Sequence, residues 1–303
     1  GFVALDLERA VYPSSLTPVL KNLEYQVDVD SEKAHQSMEL FIKNLNRTNE
    51  ARIALYRHLW DETWKTFMLV FTGTDRLMHF LWDACEDEDN AFHKEFNDYF
   101  RRIDEVIGEI AGKIGDEDNL IMLSDHGFER LGKDVYINSI LKKEGFLKFK
   151  EDKTANFSGI DYDTKAFALD PARIYVNLKG KYPRGSVAVE EREKVIRDLK
   201  DIFKNFEING RKVVKRIYGK EEAYDGPYFD QAPDLVLIGN KGYNLKAAIN
   251  SENIYSNGIF TGKHTEDDAF LLIGKKVKDD IISAYPGVGD VVSIINRLQG
   301  EDI

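Results

Sequence analysis

The sequence is poor in cysteine, and this bears on the compartment in which the protein works. Its 303 residues include a single cysteine, Cys85. One cysteine excludes an internal disulfide and is typical of a protein from a reducing compartment. We therefore predict a cytoplasmic protein.

Long apolar runs and a secretion signal are also lacking. No apolar run approaches the roughly 18 residues of a membrane span. The first residues, GFVALD, lack the basic start of a signal peptide. We therefore expect no membrane partner. The sequence does not begin with methionine either, which suggests a piece of a longer protein.

Basic residues are outnumbered by acidic ones. The chain has 42 Lys and Arg against 53 Asp and Glu, and its formal net charge is −11. A general nucleic-acid binder needs a basic face that displaces counterions from phosphates, so we expect no nucleic-acid partner. A substrate that carries phosphate is still compatible with this charge, because bound metal ions supply positive charge locally.

Two apolar runs that end in polar residues predict buried strands. Residues 67–71, FMLVF, run into TGTD, and residues 119–123, NLIML, run into SDH. Between them, residues 91–114 carry apolar side chains at steps of three and four, which predicts an amphipathic helix. Strand, helix and strand in this order indicate a βαβ unit. Asp75 and Asp125 would then lie at the same edge of a parallel sheet.

The remaining sequence predicts a core that is interrupted by an insertion. Helical spacing covers residues 31–60, with a break expected at 46–49. We predict that residues 1–145 form part of an α/β core, 146–257 an α+β insertion or cap, and 258–303 a return to the core. The other predicted elements are strands at 173–178 and 213–218, a helix at 189–206, a strand at 233–238 that rejoins the core, a strand at 270–273 and a closing helix at 288–298.

Three short segments hold candidate metal ligands. Asp75 and His79 are four residues apart, so a helix that begins at Asp75 would present both on one face, one turn apart. The alternative is that Asp75 caps the helix and His79 faces the core. Asp125 and His126 follow the second strand. The alternative for this pair is that Asp125 caps a following helix or turn and that His126 is a surface residue. His264 lies in the loop sequence GKH, which alone indicates little. Together the segments use three of the six histidines.

These segments, in this order and at these separations, resemble the type I phosphodiesterase/nucleotide pyrophosphatase family of the alkaline phosphatase superfamily. The resemblance covers nearly the whole chain and is weakest over 146–257. It implies an α/β fold with a mainly parallel sheet and flanking helices. The sequences that carry it are FTGTDRLMHFLW, LSDHGF, GKH followed by AFLLIGKKV, APDLVLIGN and the closing VGDVVSIINRL.

The resemblance also implies two divalent metal ions, commonly zinc. Asp75, His79 and His264 would bind one ion, and Asp125 and His126 would contribute to the other. Mixed carboxylate and imidazole ligands suit zinc or manganese better than magnesium or calcium. A pair of ions about 3.5–4 Å apart can hold the attacking and the leaving oxygen of a phosphoryl displacement.

One part of the family pattern has no counterpart in this sequence. The second ion also needs an aspartate after the first strand, and the nucleophile is a threonine or serine at a helix N-terminus; both precede the residues that match. We therefore expect the chain to be the C-terminal part of the enzyme, with the missing N-terminal section as its partner.

The predicted function is a two-metal phosphoric-ester hydrolase, catalytically incomplete as it stands, that acts on a small phosphate-ester or nucleotide-like substrate. One alternative is a non-catalytic metal-binding or interaction protein of the same fold. Another is a phosphomutase, phosphatase or sulfatase of the superfamily.

Overall fold

The computed structural model describes residues 7–150, 156–274 and 286–300, and the chain divides into two compact units. The first unit comprises Gly1–Glu129 and Phe260–Ile303, and the second comprises Arg130–Ile259. Residues 275–277, the end of AFLLIGKKV, lie outside the described residues. No helix in the described ranges is both long and apolar enough to cross a membrane.

The described residues form helices that lie mostly in the first unit. In chain order they are α1 (Leu7–Ala10), α2 (Thr17–Asn22), α3 (Glu32–Gln36), α4 (Met38–Trp60), α5 (Gly73–Glu86), α6 (His93–Lys113), α7 (Ile137–Lys143), α8 (Arg192–Asn205), α9 (Lys220–Ala223) and α10 (Val291–Leu298).

The strands are short and lie mostly in the second unit. They are β1 (Ile121–Leu123), β2 (Gly127–Arg130), β3 (Lys133–Tyr136), β4 (Ala166–Leu169), β5 (Arg173–Val176), β6 (Glu207–Ile208), β7 (Arg211–Lys212), β8 (Val214–Gly219), β9 (Leu235–Gly239), β10 (Tyr243–Lys246), β11 (Tyr255–Ser256), β12 (Gly262–Thr265) and β13 (Leu271–Ile273).

The first unit is built on the packing of α4, α5 and α6. Their apolar faces share a core that includes Phe41, Leu45, Leu77, Phe80 and Phe96. The predicted helix at 91–114 is confirmed as α6, because its apolar spacing buries one continuous stripe. Two small sheets complete the unit: β1 pairs with β13, and β2 pairs with β12.

The predicted break at 46–49 is wrong, because α4 runs through it without interruption. The polar residues there make internal contacts. Thr48 donates to the Asn44 carbonyl and to the Gln26 side chain, and Asn44 accepts from the Asp30 backbone N–H. The helix begins instead after Ser37, whose hydroxyl accepts from the Leu40 N–H as an N-cap.

The predicted strand at 67–71 is also wrong. Its backbone is not paired in a sheet among the described residues. Phe67, Leu69 and Phe71 pack against a small core of α4 and α6 residues. Met68 and Val70 are 82% and 51% exposed. Alternate side chains of the segment are therefore half-buried and exposed, whereas the apolar run predicted a fully buried strand.

The mainly parallel sheet is consequently not observed in the described ranges. Since 67–71 has no strand partner there, the expected βαβ unit does not form. Instead β1 pairs antiparallel with β13, which comes from the far end of the chain. Most other pairings are antiparallel as well, and β3 with β10 is parallel. The fold is a mixture of helices and strands.

The second unit centres on a four-stranded antiparallel sheet in the order β4-β5-β9-β8. Helix α8 packs its apolar side against this sheet through Val195, Leu199 and Phe203. A three-stranded sheet in the order β10-β3-β11 adjoins the same core. The strand predicted at 233–238 was expected to rejoin the main body, but it forms β9 inside this unit, because it pairs with β5 and β8.

Candidate metal centre

Helix α5 supplies the first two candidate ligands. Asp75 lies in its first turn and His79 follows one turn later, so both side chains are on one face. The His79 Nε2 atom is 3.6 Å from the Asp75 Oδ1 atom. The predicted helical spacing of this pair is therefore present in the structure.

Strand β12 reaches α5 by inserting into its hydrogen-bond ladder. The Thr261 N–H donates to the His79 carbonyl, and the Thr261 hydroxyl accepts from the Asp83 N–H. Both bonds lie at the turn where the helix kinks, at Leu81 (φ −132°, ψ 28°). Insertion of Thr261 thus fixes β12 against the turn of α5 that carries His79.

Gly262 permits this close approach. A Cβ atom at this position would lie 2.2 Å from the Met78 carbonyl oxygen and 3.0 Å from the Trp82 Cβ atom. The Gly262 carbonyl in turn accepts a hydrogen bond from the Nδ1–H of His79 at 3.1 Å. This bond places the proton on Nδ1 and leaves the Nε2 lone pair of His79 free for a metal ion.

The turn between β1 and β2 supplies His126. Its Nδ1–H donates to the Gly127 carbonyl at 3.1 Å, which again leaves Nε2 free. Gly127 is needed for the approach of the β12 end, because a Cβ atom there would lie 2.5 Å from the Thr265 hydroxyl. The neighbouring Asp125 is 77% exposed, and its Oδ1 is 3.5 Å from the His126 Nε2.

The Asp75 Oδ1 atom lies at the centre of the cluster. It accepts a hydrogen bond from the His264 Nε2 at 2.7 Å, although the two residues are 189 positions apart. The His126 Nε2 lies 3.7 Å from the same oxygen. Asp75, His126 and His264 each offer one ligand atom, and these atoms all lie within 4.8 Å of one another. The rings of His126 and His264 stack with centroids 3.7 Å apart.

Arg76 holds the other oxygen of Asp75. Its guanidinium donates to Asp75 Oδ2 at 2.7 Å and to Asp28 Oδ2 at 2.7 Å, so Asp28 fixes the arginine that orients Asp75. Because Oδ2 is taken by Arg76, Oδ1 faces the histidines. Sequence patterns could not identify Asp28, since it lies far from the motifs along the chain.

The protonation states of Asp75 and His79 suit metal binding. Burial alone would raise the pKa of Asp75, but the hydrogen bond from His264 and the nearby positive charges outweigh it, so this pKa lies below its ordinary value. Burial lowers the pKa of His79 and outweighs the opposite effect of the Asp75 carboxylate. At neutral pH the aspartate is ionised and His79 is neutral, as metal ligands must be.

Aromatic rings pack around the histidines. Phe128 lies edge-on to His79 and His264, with centroids 4.9 Å and 5.0 Å away. Phe260 also packs against His79, with ring centroids 5.2 Å apart. Both phenylalanines follow or precede the motif histidines closely in sequence, yet nothing in their spacing indicates this role. These ring contacts restrict the orientations of His79 and His264.

The donor set fits a zinc-type ion. Two ligands of one tetrahedral zinc lie roughly 3.3 Å apart, given bonds of ~2.0–2.1 Å. The separation of 3.6 Å between the His79 Nε2 and Asp75 Oδ1 atoms is close to this value, and the 2.7 Å hydrogen bond between His264 and the same oxygen would be exchanged for two metal bonds. The structure thus brings Asp75, His79, His126 and His264 together, while Asp125 sits at the exposed margin.

Comparison with known proteins agrees with the motifs. The sequence profile of the type I phosphodiesterase / nucleotide pyrophosphatase family matches residues 6–267. The chain belongs to this family. No curated protein sequence matches it.

Among solved structures, the chain is similar to a phosphonoacetate hydrolase from Sinorhizobium meliloti 1021, crystallised in complex with phosphonoformate. The identity is 11% and the TM-score 0.41, and the match covers 85% of this chain. The chain spans 56% of the length of that protein.

Proposed function

We propose that the chain carries the metal centre of a divalent-metal-dependent phosphoric-ester hydrolase of the phosphodiesterase or nucleotide pyrophosphatase type. One observation carries the proposal. The Asp75 Oδ1 atom has the Nε2 atoms of His79, His126 and His264 within 3.7 Å. These histidines come from three separate segments. Membership of the family supports the same reaction class.

The proposed metal content is two ions, zinc in the first instance with manganese as the second choice. Asp75, His79 and His264 would hold one ion, and Asp125 and His126 would contribute to the other. When bound, the pair supplies positive charge that stabilises the oxygens around phosphorus. Other residues of this chain would orient the metal ligands. Arg76 holds Asp75, the Gly262 carbonyl holds the ring of His79, and the Gly127 carbonyl holds the ring of His126.

The proposed substrate is a small phosphate ester or a nucleotide-like molecule. The ring of His264 is 47% exposed, so the cluster is open on the side of β12. Asp125, which is also exposed, lies beside His126. We also propose a cytoplasmic location, for which the single exposed thiol of Cys85 is the support.

The nucleophile is proposed to come from a section that precedes this chain. The hydroxyls closest to the ligands in sequence are engaged with backbone groups. Thr74 donates to the Phe71 carbonyl, Thr265 donates to the Asp267 carbonyl, and Ser124 accepts from the Phe270 N–H. Family resemblance points to a threonine or serine upstream.

The test is hydrolysis of a chromogenic phosphodiester by protein extended with the upstream coding sequence. We expect turnover that a chelator abolishes and zinc or manganese restores. His264→Ala should reduce turnover by more than the ~10–100-fold typical when only a hydrogen-bond partner of a metal ligand is removed. His58→Ala, an exposed histidine of α4, is the matched control and should have no effect.

Residues 1–303 alone should show little turnover. Robust, chelator-sensitive turnover by these residues alone would place the nucleophile within the chain. Turnover of the extended protein that survives both the chelator and His264→Ala would refute the metal mechanism. Metal binding without any turnover would favour the alternative, a non-catalytic metal-binding protein.

A further inference from the structure

The second unit contains a cavity of about 560 Å³ that no part of the proposed reaction uses. It opens between β5, α8 and the segment that joins β8 to β9. Three basic side chains reach it, together with one buried carboxylate and two apolar walls. These residues are Lys181, Arg192, Lys220, Asp234, Leu178 and Phe229.

The buried carboxylate of the cavity, Asp234, is fully engaged. Its Oδ1 accepts from Arg192 Nε and Nη2 at 2.9 and 2.7 Å, and its Oδ2 accepts from the Val176 N–H at 2.7 Å. Asp234 therefore neutralises Arg192, and it forms no ion pair with Lys181 or Lys220.

Lys220 is a buried cation without a carboxylate partner. The residue is 7% exposed. Its ammonium lies 4.4 Å from the centroid of the Phe229 ring, and no carboxylate of the described ranges forms an ion pair with it. A buried ammonium costs free energy unless it is paired, and one aromatic ring compensates only part of that cost.

Lys181 lies in the same electrostatic environment. Burial lowers the pKa of Lys181, and the charges of Lys220 and Arg192 lower it further, against the opposite effects of the Asp234 and Asp230 carboxylates. Lys181 forms no ion pair with the described carboxylates either, and its ammonium lies over the Tyr182 ring at 5.3 Å. Two ammonium groups that form no ion pair with the described carboxylates therefore line the same cavity.

We propose that this cavity binds a phosphate dianion, either free phosphate or the phosphate group of a small molecule, between Lys181 and Lys220. A dianion matches two unpaired ammonium charges, whereas a carboxylate matches only one. Leu178 and Phe229 supply an apolar wall for the rest of a phosphorylated ligand. The exposed Glu221 and Asp230 at the margin disfavour ligands with additional negative charge.

The test is calorimetric titration of the whole chain with inorganic phosphate in a buffer that contains a chelator. We expect saturable binding that weakens at least about tenfold in Lys220→Met and in Lys181→Met, because each loses a hydrogen bond to a charged group. Lys241→Met, at an exposed lysine of the same unit, should bind as the wild type does. His264→Ala should also leave binding unchanged, which separates this cavity from the proposed metal centre.

Two further ligands define the chemistry of the site. Acetate should bind at least about tenfold more weakly than phosphate, because it carries one charge. Phenyl phosphate shows whether the cavity binds free phosphate or a phosphorylated small molecule. Binding at least as tight as that of inorganic phosphate indicates a phosphorylated small molecule, and much weaker binding indicates free phosphate.

Several results would overturn the proposal. They are an absence of phosphate binding, equal affinity for acetate, or loss of binding in His264→Ala. If Lys220→Met does not fold, as judged by circular dichroism, the exposed Lys181→Met decides alone, and unchanged phosphate affinity in that variant refutes the site.

Discussion

Gly262 sets the distance between β12 and α5, and through it the position of His264 beside Asp75. The nearest atom to a Cβ at this position would be the Met78 carbonyl oxygen, at 2.2 Å, which is backbone and has little freedom to move. Gly108 in α6 is a useful contrast, because a Cβ atom there meets nothing within 4 Å.

Gly262→Ala should destabilise the first unit by about 1–3 kcal/mol, the usual cost of overpacking. It should also weaken zinc binding, since β12 must move away from α5. Gly108→Ala should stabilise the first unit by about 0.5–1 kcal/mol, because alanine is favoured over glycine inside a helix. Urea unfolding followed by tryptophan fluorescence measures both, since Trp60, Trp64 and Trp82 all lie in the first unit. Equal stability of Gly262→Ala and wild type would show that the contact is not tight.

At the scale of single residues, the sequence indicates the residues that come together better than the groups that hold them. Helical spacing predicts Asp75 and His79, and the family resemblance predicts His264; their role as metal ligands stays a prediction. Asp28 and Thr261 are not predicted, because each acts on the site only through hydrogen bonds to residues distant in sequence. Asp28 accepts from Arg76, and Thr261 bonds the His79 carbonyl and the Asp83 N–H. A single polar contact between distant residues leaves no periodic pattern in the chain.

Among the elements, α4 and α6 are joined by a network of ion pairs around Glu109. Arg57 of α4 donates to it at 2.7 Å, and Lys113 of α6 donates at 2.7 Å. The hydrogen bonds from Arg57 and Lys113 lower the pKa of Glu109 from 4.5 to about 2. Since the folded-state pKa is the lower one, the network stabilises the fold fully above about pH 4.5 and loses this effect as the pH falls toward 2.

Glu109→Gln should therefore lower the free energy of unfolding by about 0.5–1 kcal/mol at pH 7, the value expected for accessible ion pairs. The difference from wild type should shrink between pH 4.5 and 2. Urea unfolding across this range measures it, with the exposed Glu117→Gln as control. A difference that stays constant down to pH 2 would exclude the carboxylate charge as its cause.

Elements with long periodic patterns are the ones that the sequence predicts well. Helices α6 and α8 follow their apolar stripes to within a few residues. Short apolar runs are less informative, because periodicity does not specify a strand partner. Residues 67–71 remain unpaired among the described residues, and β1 pairs with β13 in the antiparallel direction. A local pattern cannot encode that choice of partner.

In the whole molecule, the residues that converge on Asp75 all belong to the first unit, although His264 lies beyond the second unit in sequence. The insertion separates the ligand segments along the chain without separating them in space. Asp75, His79 and His264 would make a three-residue ligand set, which suffices for an open zinc site. Asp125 and His126 provide only two ligands, and one of them is largely exposed.

Calorimetric titration of residues 1–303 with zinc tests this account most directly. We predict one tightly bound equivalent that disappears in His264→Ala and persists in His58→Ala and largely in His126→Ala, while a second equivalent binds weakly or not at all. A tight phase that is lost in His126→Ala but kept in His264→Ala would contradict the assignment of ligands. A His264→Ala variant that binds zinc as tightly as the wild type would contradict the metal centre itself.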